Sequence, residues 1–289
     1  MISFLMVLCS ICFAPTRNQM DHDMTRSDTS HRYNLLAMAS IIMFSVSFAH
    51  SLSAAEQPSL RIAVEGGFPP FNYLDSENHL QGFDVDIANA LCQAAALKCE
   101  FIVQEWTGMI PNLLAKKYDA IISSMSMSAE RREKVSFTKK YYDSPSVFIV
   151  RKGSDIVGTA PDDLKNLRLG VTAATSQESY AKKFYAGVAT TVVNASPDLY
   201  KNLADGKVDI IFEDKLAVYD WLANTKAGSC CEFKGEDVKN AEYFGDGAGI
   251  AVRPDDVALL AKLNAALDLI QANDEYDTIN AKYFPFSIR

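Results

Sequence analysis

The sequence predicts two α/β lobes, each a mainly parallel sheet covered by helices, joined by a hinge of two chain crossings. Three observations carry this. Short apolar runs with β-branched residues alternate with stretches of helical periodicity. The alternation restarts after residue 150. And two pairs of segments echo one another: 61–64 (Arg-Ile-Ala-Val) with 168–171 (Arg-Leu-Gly-Val), and 113–122 with 203–212, each with a leucine six residues before an aspartate. Ligands of such sheets sit at the carboxyl ends of the strands, so two similar lobes around a cleft favour binding.

In order, residues 60–64 read as a buried strand. A helix opens at Asp84, which suits its cap, and continues through Ile87, Ala88, Leu91 and Ala95. Residues 101–103 form a strand, 109–116 a helix, 120–122 a strand and 147–150 a strand. The second lobe repeats strand, helix and strand through 168–171 and 208–212. Strand 249–252 leads into a long amphipathic helix, 255–272. Crossings near 143–146 and 239–245 divide the chain into a discontinuous first lobe, 56–144 with 243–289, and a second lobe, 145–242.

The first 55 residues have a different texture. His31 and Arg32 precede an apolar run at 35–49, then Ser53-Ala54-Ala55 and a polar start. This is the pattern of a secretory signal peptide, and the run is short of the roughly 20 residues a membrane-crossing helix needs. A second apolar piece at 2–14 is surplus, so translation is expected to start downstream, near Met24. Export to the periplasm as a soluble chain follows.

The 289 residues are 48% hydrophobic, enough for buried cores, and carry a net charge of −8, which argues against nucleic acid as a partner. Residues 1–55 hold equal numbers of acidic and basic side chains, so processing leaves that charge unchanged. Of His22, His31, His50 and His79 only the last survives it, which removes the basis for a histidine metal centre or a Ser-His-Asp hydrolase. No metal, cofactor or catalytic residue is expected. Cys92 and Cys99, seven apart, are a disulfide candidate in an oxidising compartment. Adjacent Cys230 and Cys231 are open to a vicinal bridge, to staying reduced, or to cross-linking.

The strand ends deliver Glu65 and Phe68; Ser123, Ser124 and Ser126 with Arg131 shortly after; Thr172, Thr175, Ser176 and Gln177; and the pair Glu213-Asp214. The set matches a free amino acid. Arg131 suits an α-carboxylate through two parallel bonds, helped by N–H groups of a helix beginning near Ser176. Asp214 with Ser124 suits an α-ammonium. Phe68 and Trp106 suit a stem between aromatic faces, and Glu65 a positive head. Each residue also has a plain structural role: a solvated charge run for Arg131, caps for Thr175 and Asp214, core for the aromatics. Convergence at four strand ends favours the binding site.

Five motifs are distinctive: Gly-Phe-Asp-Val-Asp-Ile (82–87), Ile-Pro-Asn-Leu (110–113), Asp-Ala-Ile-Ile-Ser-Ser-Met-Ser (119–126), Ser-Gln-Glu (176–178) and Tyr-Phe-Gly-Asp-Gly (243–247). From about residue 60 to 284 the chain resembles the periplasmic polar amino-acid-binding proteins of ABC importers, nearest the lysine/arginine/ornithine-binding and histidine-binding group. The resemblance implies a two-lobed periplasmic binding protein fold, a Cys92–Cys99 disulfide, a monomer, and delivery of a captured amino acid to an ABC permease in the inner membrane. It implies Arg131, Ser126 and Ser176 at the ligand carboxylate, and Asp214 and Ser124 at its ammonium. Phe68 and Trp106 would stack on the stem, and Glu65, with Ser123 beside it, would meet the head. Thr172, Thr175 and Gln177 would line the second lobe, and Asp84 would lie near the side-chain end. Glu65, Phe68, Trp106 and Thr172 depart from the group's pattern, leaving arginine, lysine, ornithine, histidine or an arginine-derived opine open. The alternative is a dehydratase of a prephenate-like substrate on the same scaffold.

Overall fold

The structure, a computed structural model, describes residues 57–289; the signal-peptide reading of 1–55 lies outside the described residues. In chain order the elements are β1 (Ser59–Val64), β2 (Gly67–Phe68), β3 (Asn72–Leu74), β4 (Leu80–Gln81), α1 (Phe83–Ala94), β5 (Lys98–Val103), α2 (Met109–Leu114), β6 (Ala120–Ile121), α3 (Ala129–Arg132) and β7 (Ser136–Tyr142). There follow β8 (Ser146–Arg151), β9 (Arg168–Thr172), α4 (Ser176–Phe184), β10 (Ala189–Val193), α5 (Ser196–Ala204), β11 (Ile210–Asp214), α6 (Lys215–Asn224) and β12 (Cys231–Val238). The chain closes with α7 (Ala241–Phe244), β13 (Ala248–Val252), α8 (Val257–Ala272) and α9 (Glu275–Tyr283).

Two five-stranded sheets result, in the orders β5-β1-β6-β13-β7 and β10-β9-β11-β8-β12. The sheets are mixed, with four of the five strands in each running the same way. β1 pairs in parallel with β5 and β6, but β13 runs antiparallel to β6 and β7. β9 pairs in parallel with β10 and β11, while β8 runs antiparallel to β11 and β12. One strand in each sheet, β13 or β8, runs against the other four, and each is the first strand entered after a chain crossing. The chain leaves the first sheet after Tyr142, enters the second at Ser146, and returns between Val238 and Ala248.

The central strands of both sheets are buried on both faces, which is why they read as continuous apolar runs, whereas the edge strands β5, β10 and β12 are largely exposed. Leu60, Ile62 and Val64 enter one core and the intervening Ala63 another. Phe148 and Val150 point to one side of the second sheet, and Val147 and Ile149 to the other. This is the two-residue alternation of a pleated strand.

The sequence echo has a structural cause. Arg61 at the start of β1 donates Nε to Asp119 Oδ2 at 2.9 Å and Nη2 to Oδ1 at 2.8 Å. Arg168 at the start of β9 makes the same fork to Asp209, at 2.9 and 2.6 Å. Each aspartate immediately precedes the neighbouring parallel strand, and its own N–H bonds the arginine's carbonyl. One bidentate pair thus sets the register of the central strands in each lobe.

The cap of α1 differs from expectation. Gly82, at φ +125°, holds the cap position without a side-chain bond. A Cβ there would strike the Phe71 carbonyl, and the conformation is one that glycine adopts freely. Asp84 lies inside the first turn, fully buried. Cys92 and Cys99 are bonded, with Cα atoms 5.8 Å apart, tying the end of α1 to β5. Cys230 and Cys231 are joined as the vicinal bridge.

Candidate functional site

One narrow cavity lies where the two sheets' strand ends meet. Glu65, Phe68, Trp106, Ser123, Ser124, Ser126 and Arg131 line it from the first lobe, and Thr172, Thr175, Ser176, Gln177 and Asp214 from the second. These are twelve of the thirteen expected binding residues. A wider, open groove adjoins it through Trp106, Arg131, Thr175 and Ser176, but its acids (Glu130, Glu133 and Glu242) are all exposed. Arg131, Glu65 and Asp214 meet in the narrow cavity.

The thirteenth residue, Asp84, is a correction: it is absent from the lining and sits beneath it. Its carboxylate accepts Asn72 Nδ2 at 2.7 Å, Tyr141 Oη at 2.7 Å and Ser124 Oγ at 2.9 Å. Burial pushes its pKa up to about 6 against these bonds. Tyr141 Oη in turn accepts the Ser124 N–H at 2.9 Å, and Ser124 takes a left-handed φ of +54°. Asp84 therefore holds the Ser124 hydroxyl hydrogen inward, leaving the oxygen lone pairs free to accept. Ser123 is fixed similarly, its Oγ accepting the Glu65 N–H at 3.0 Å.

Arg131 is the buried exception in an otherwise exposed charge run. Lys134 and Glu130 pair on the surface at 2.6 Å, whereas Arg131 is 8% exposed. The short α3 is capped by Ser128, whose Oγ accepts the Arg131 N–H. The guanidinium donates to the carbonyls of Ser126 at 3.0 Å and Ala174 at 3.1 Å, and lies 5.1 Å from the centre of the Trp106 ring. Among the described residues no carboxylate reaches ion-pair distance, and burial lowers its pKa to about 10.

The acids are the mirror image. Glu65 accepts no hydrogen bond on its carboxylate among the described residues; burial, then the nearby Asp84, raise its pKa to about 7. Asp214 uses only Oδ1, which accepts Ser144 Oγ at 2.8 Å and the N–H groups of Leu216 and Ala217 at 2.9 and 3.1 Å, capping α6. Its Oδ2 is left to the cavity, and burial lifts its pKa to about 6. Capping and cavity lining are thus compatible roles for one carboxylate.

On the second lobe, Thr175 caps α4 by accepting the Glu178 N–H. Ser176, 5% exposed, has an Oγ with no hydrogen-bond partner among the described residues. Gln177 donates to Ser146 at 3.0 Å. Two lining residues, Ser196 and Glu213, lie outside the expected set. Glu213 carries a sequence signal, since it precedes Asp214 at the same strand end. Ser196 carries none, because it follows the edge strand β10 as an ordinary helix start. Among the described residues, no three His, Cys, Asp or Glu side chains are placed to hold a metal ion, and no helix is long and apolar enough to cross a membrane.

Residues 60–286 match the profile of the bacterial extracellular solute-binding proteins, family 3. An L-arginine-binding protein of Pseudomonas aeruginosa is 38% identical over 237 residues, covering 81% of this chain and 91% of the relative. The lysine/arginine/ornithine-binding periplasmic protein of Escherichia coli is 36% identical over 257 residues, covering 88% and 98%. Among solved structures, a Salmonella typhimurium periplasmic binding protein with high arginine specificity superposes with a TM-score of 0.72 at 32% identity, covering 78% of this chain and 99% of that one.

Proposed function

The chain belongs to the bacterial extracellular solute-binding proteins, family 3, and from that membership we propose that it captures a free basic amino acid between its lobes and delivers it to an ABC permease in the inner membrane. Its fold is the two-lobed periplasmic binding protein fold, and its close relatives are binding proteins rather than enzymes. In this reading the protein works in the periplasm as a monomer after a signal peptide is removed. Residues 56–144 with 243–289 form one lobe and 145–242 the other.

One observation carries the reading. Among the described residues, one cavity holds the buried Arg131 without a carboxylate at ion-pair distance and the half-buried Glu65 and Asp214 without a cation. Isolated buried charges are costly, and a ligand with one anionic and two cationic groups supplies every missing partner. The α-carboxylate takes Arg131 with Ser126, Ser176 and the N-terminal N–H groups of α4. The α-ammonium takes Asp214 Oδ2 and the Ser124 lone pairs, the stem lies between Phe68 and Trp106, and the head meets Glu65 beside Ser123. Thr172, Thr175 and Gln177 close the second-lobe wall.

Arg131 and Trp106 belong to the first lobe while Ser176 and Asp214 belong to the second, so the ligand bridges both and stabilises closure. A dehydratase acting on a dicarboxylate would have no use for the Glu65–Asp214 pair of uncompensated acids. Calorimetric titration with arginine, lysine, ornithine, histidine and arginine-derived opines tests the proposal. Saturable binding of at least one basic ligand is expected, and a flat response to all of them would overturn it.

A further inference from the structure

Glu213 has no assigned role, yet it is the penultimate residue of β11 and lies in the cavity wall, 3% exposed. Its Oε2 accepts Ser196 Oγ at 3.1 Å and Thr172 Oγ1 at 3.3 Å, and its Oε1 accepts the Asp214 N–H at 2.9 Å. A carboxylate oxygen has two lone pairs, so Oε2 is filled and Oε1 keeps one acceptor position. Ser196 opens α5, and α5 packs against β2, whose first residue stands two after Glu65. A second-lobe carboxylate with one free position thus lines the same cavity as the first-lobe Glu65 carboxylate, which accepts no hydrogen bond among the described residues. No Lys, Arg or His among the described residues compensates either acid.

We propose that Glu213 is a specificity-determining residue that, together with Glu65, selects a ligand whose side chain ends in a guanidinium. The inference rests on the reading above that the cavity takes a basic amino acid. A guanidinium is planar and presents N–H donors along separate edges. Glu65 takes one edge through two parallel bonds, and Glu213 Oε1 takes an N–H directed away from it. An ammonium projects its donors from one strongly hydrated atom and matches this split arrangement poorly. A neutral urea end places an acceptor oxygen against a carboxylate. The flanking Phe68 and Trp106 rings suit a planar group, and the unpartnered Ser176 Oγ in the same cavity is an independent sign that a polar ligand completes it.

Calorimetry with L-arginine, L-lysine and L-citrulline on the wild type and Glu213→Gln decides the matter. The wild type is expected to bind arginine about tenfold or more tightly than lysine and about 100-fold or more tightly than citrulline, since unpaired buried polar groups discriminate strongly. Glu213→Gln is expected to weaken arginine about tenfold while shifting lysine less than about threefold. Equal wild-type affinities for arginine and lysine, or a variant that moves both ligands equally or neither, overturn the role of Glu213 while leaving the basic-amino-acid reading intact. If none of the three binds the wild type, this inference falls, and the basic-amino-acid reading is decided by the wider ligand panel above. Should the variant lose its circular dichroism signature, the wild-type ratios decide alone.

Discussion

Trp106 donates its indole N–H across the cleft to the carbonyl oxygen of Ala174, at 3.1 Å, and Arg131 donates to the same oxygen at 3.1 Å. Ala174 takes a left-handed φ of +55°, with its own N–H held by Glu178 at 2.7 Å. Two first-lobe donors therefore clasp one fixed second-lobe acceptor, and they do so with the protein's own groups alone.

Trp106→Phe keeps an aromatic face and removes that donor. A neutral hydrogen bond contributes about 1 kcal/mol net, so the closed form of the ligand-free protein should lose about fivefold in population. Small-angle scattering is expected to show a larger radius of gyration for the ligand-free variant than for the ligand-free wild type. Identical radii would show that the Trp106–Ala174 contact does not hold the lobes.

Asp214 is predicted to serve two purposes that substitutions can separate. Asp214→Ala removes both the α6 cap, costing about 1 kcal/mol of stability, and the ammonium partner, weakening binding by about 2–5 kcal/mol. Asp214→Asn keeps an oxygen for the cap but loses the charge, so it should unfold near the wild-type urea midpoint and still bind weakly. Wild-type affinity in both variants would remove Asp214 from the ligand.

Asp84 acts at one remove. Asp84→Ala leaves Tyr141 Oη, Asn72 Nδ2 and Ser124 Oγ without their acceptor, and is expected to lower stability by about 1–3 kcal/mol in urea unfolding. Ligand affinity should also fall, because Ser124 loses the bond that orients its hydroxyl. A stability loss with unchanged affinity would confine Asp84 to the fold.

Binding should depend on pH with a definite sign. Burial raises Glu65 to about 7 and Asp214 to about 6, above their values in an unfolded chain. Their contribution to ligand-free stability is therefore complete in acid, below the ordinary carboxylate range, and is lost as pH rises through those values. A cationic ligand requires the ionised forms, so its binding releases protons near pH 6–7 and its affinity falls as pH drops from about 8 to about 5. Titrations in two buffers of different ionisation enthalpy count those protons. Equal apparent enthalpies in both, with flat affinity over this range, would contradict the assignment.

Much of the site is legible in the sequence because each sheet places its functional residues just past a strand, and an apolar run ending in Ser, Thr or acid marks that position. Residues 120–126 and 208–214 are clear cases, repeated in both lobes with the Arg61–Asp119 and Arg168–Asp209 forks behind them. The helix start at Thr175 and the capping by Asp214 are local chemistry, and both appear where the pattern puts them.

What escapes the sequence is whatever depends on three-dimensional neighbours. Asp84 has the look of a helix cap, yet Gly82 takes that position and Asp84 turns inward to Tyr141, a partner 57 residues away. Glu213 and Asp214 are adjacent in the chain, and only the packing of α5 and β9 around Glu213 separates a held carboxylate from one open to the cavity. The mixed strand order likewise depends on where β8 and β13 insert after the crossings. By itself, then, the sequence determined the alternating elements, the two lobes and the residues at their strand ends, because periodicity and capping act over a few residues. Burial and hydrogen-bond partnership are made by distant segments, so only the tertiary structure decided which of those charges are compensated and which, Arg131, Glu65 and Asp214, have no counter-charge among the described residues.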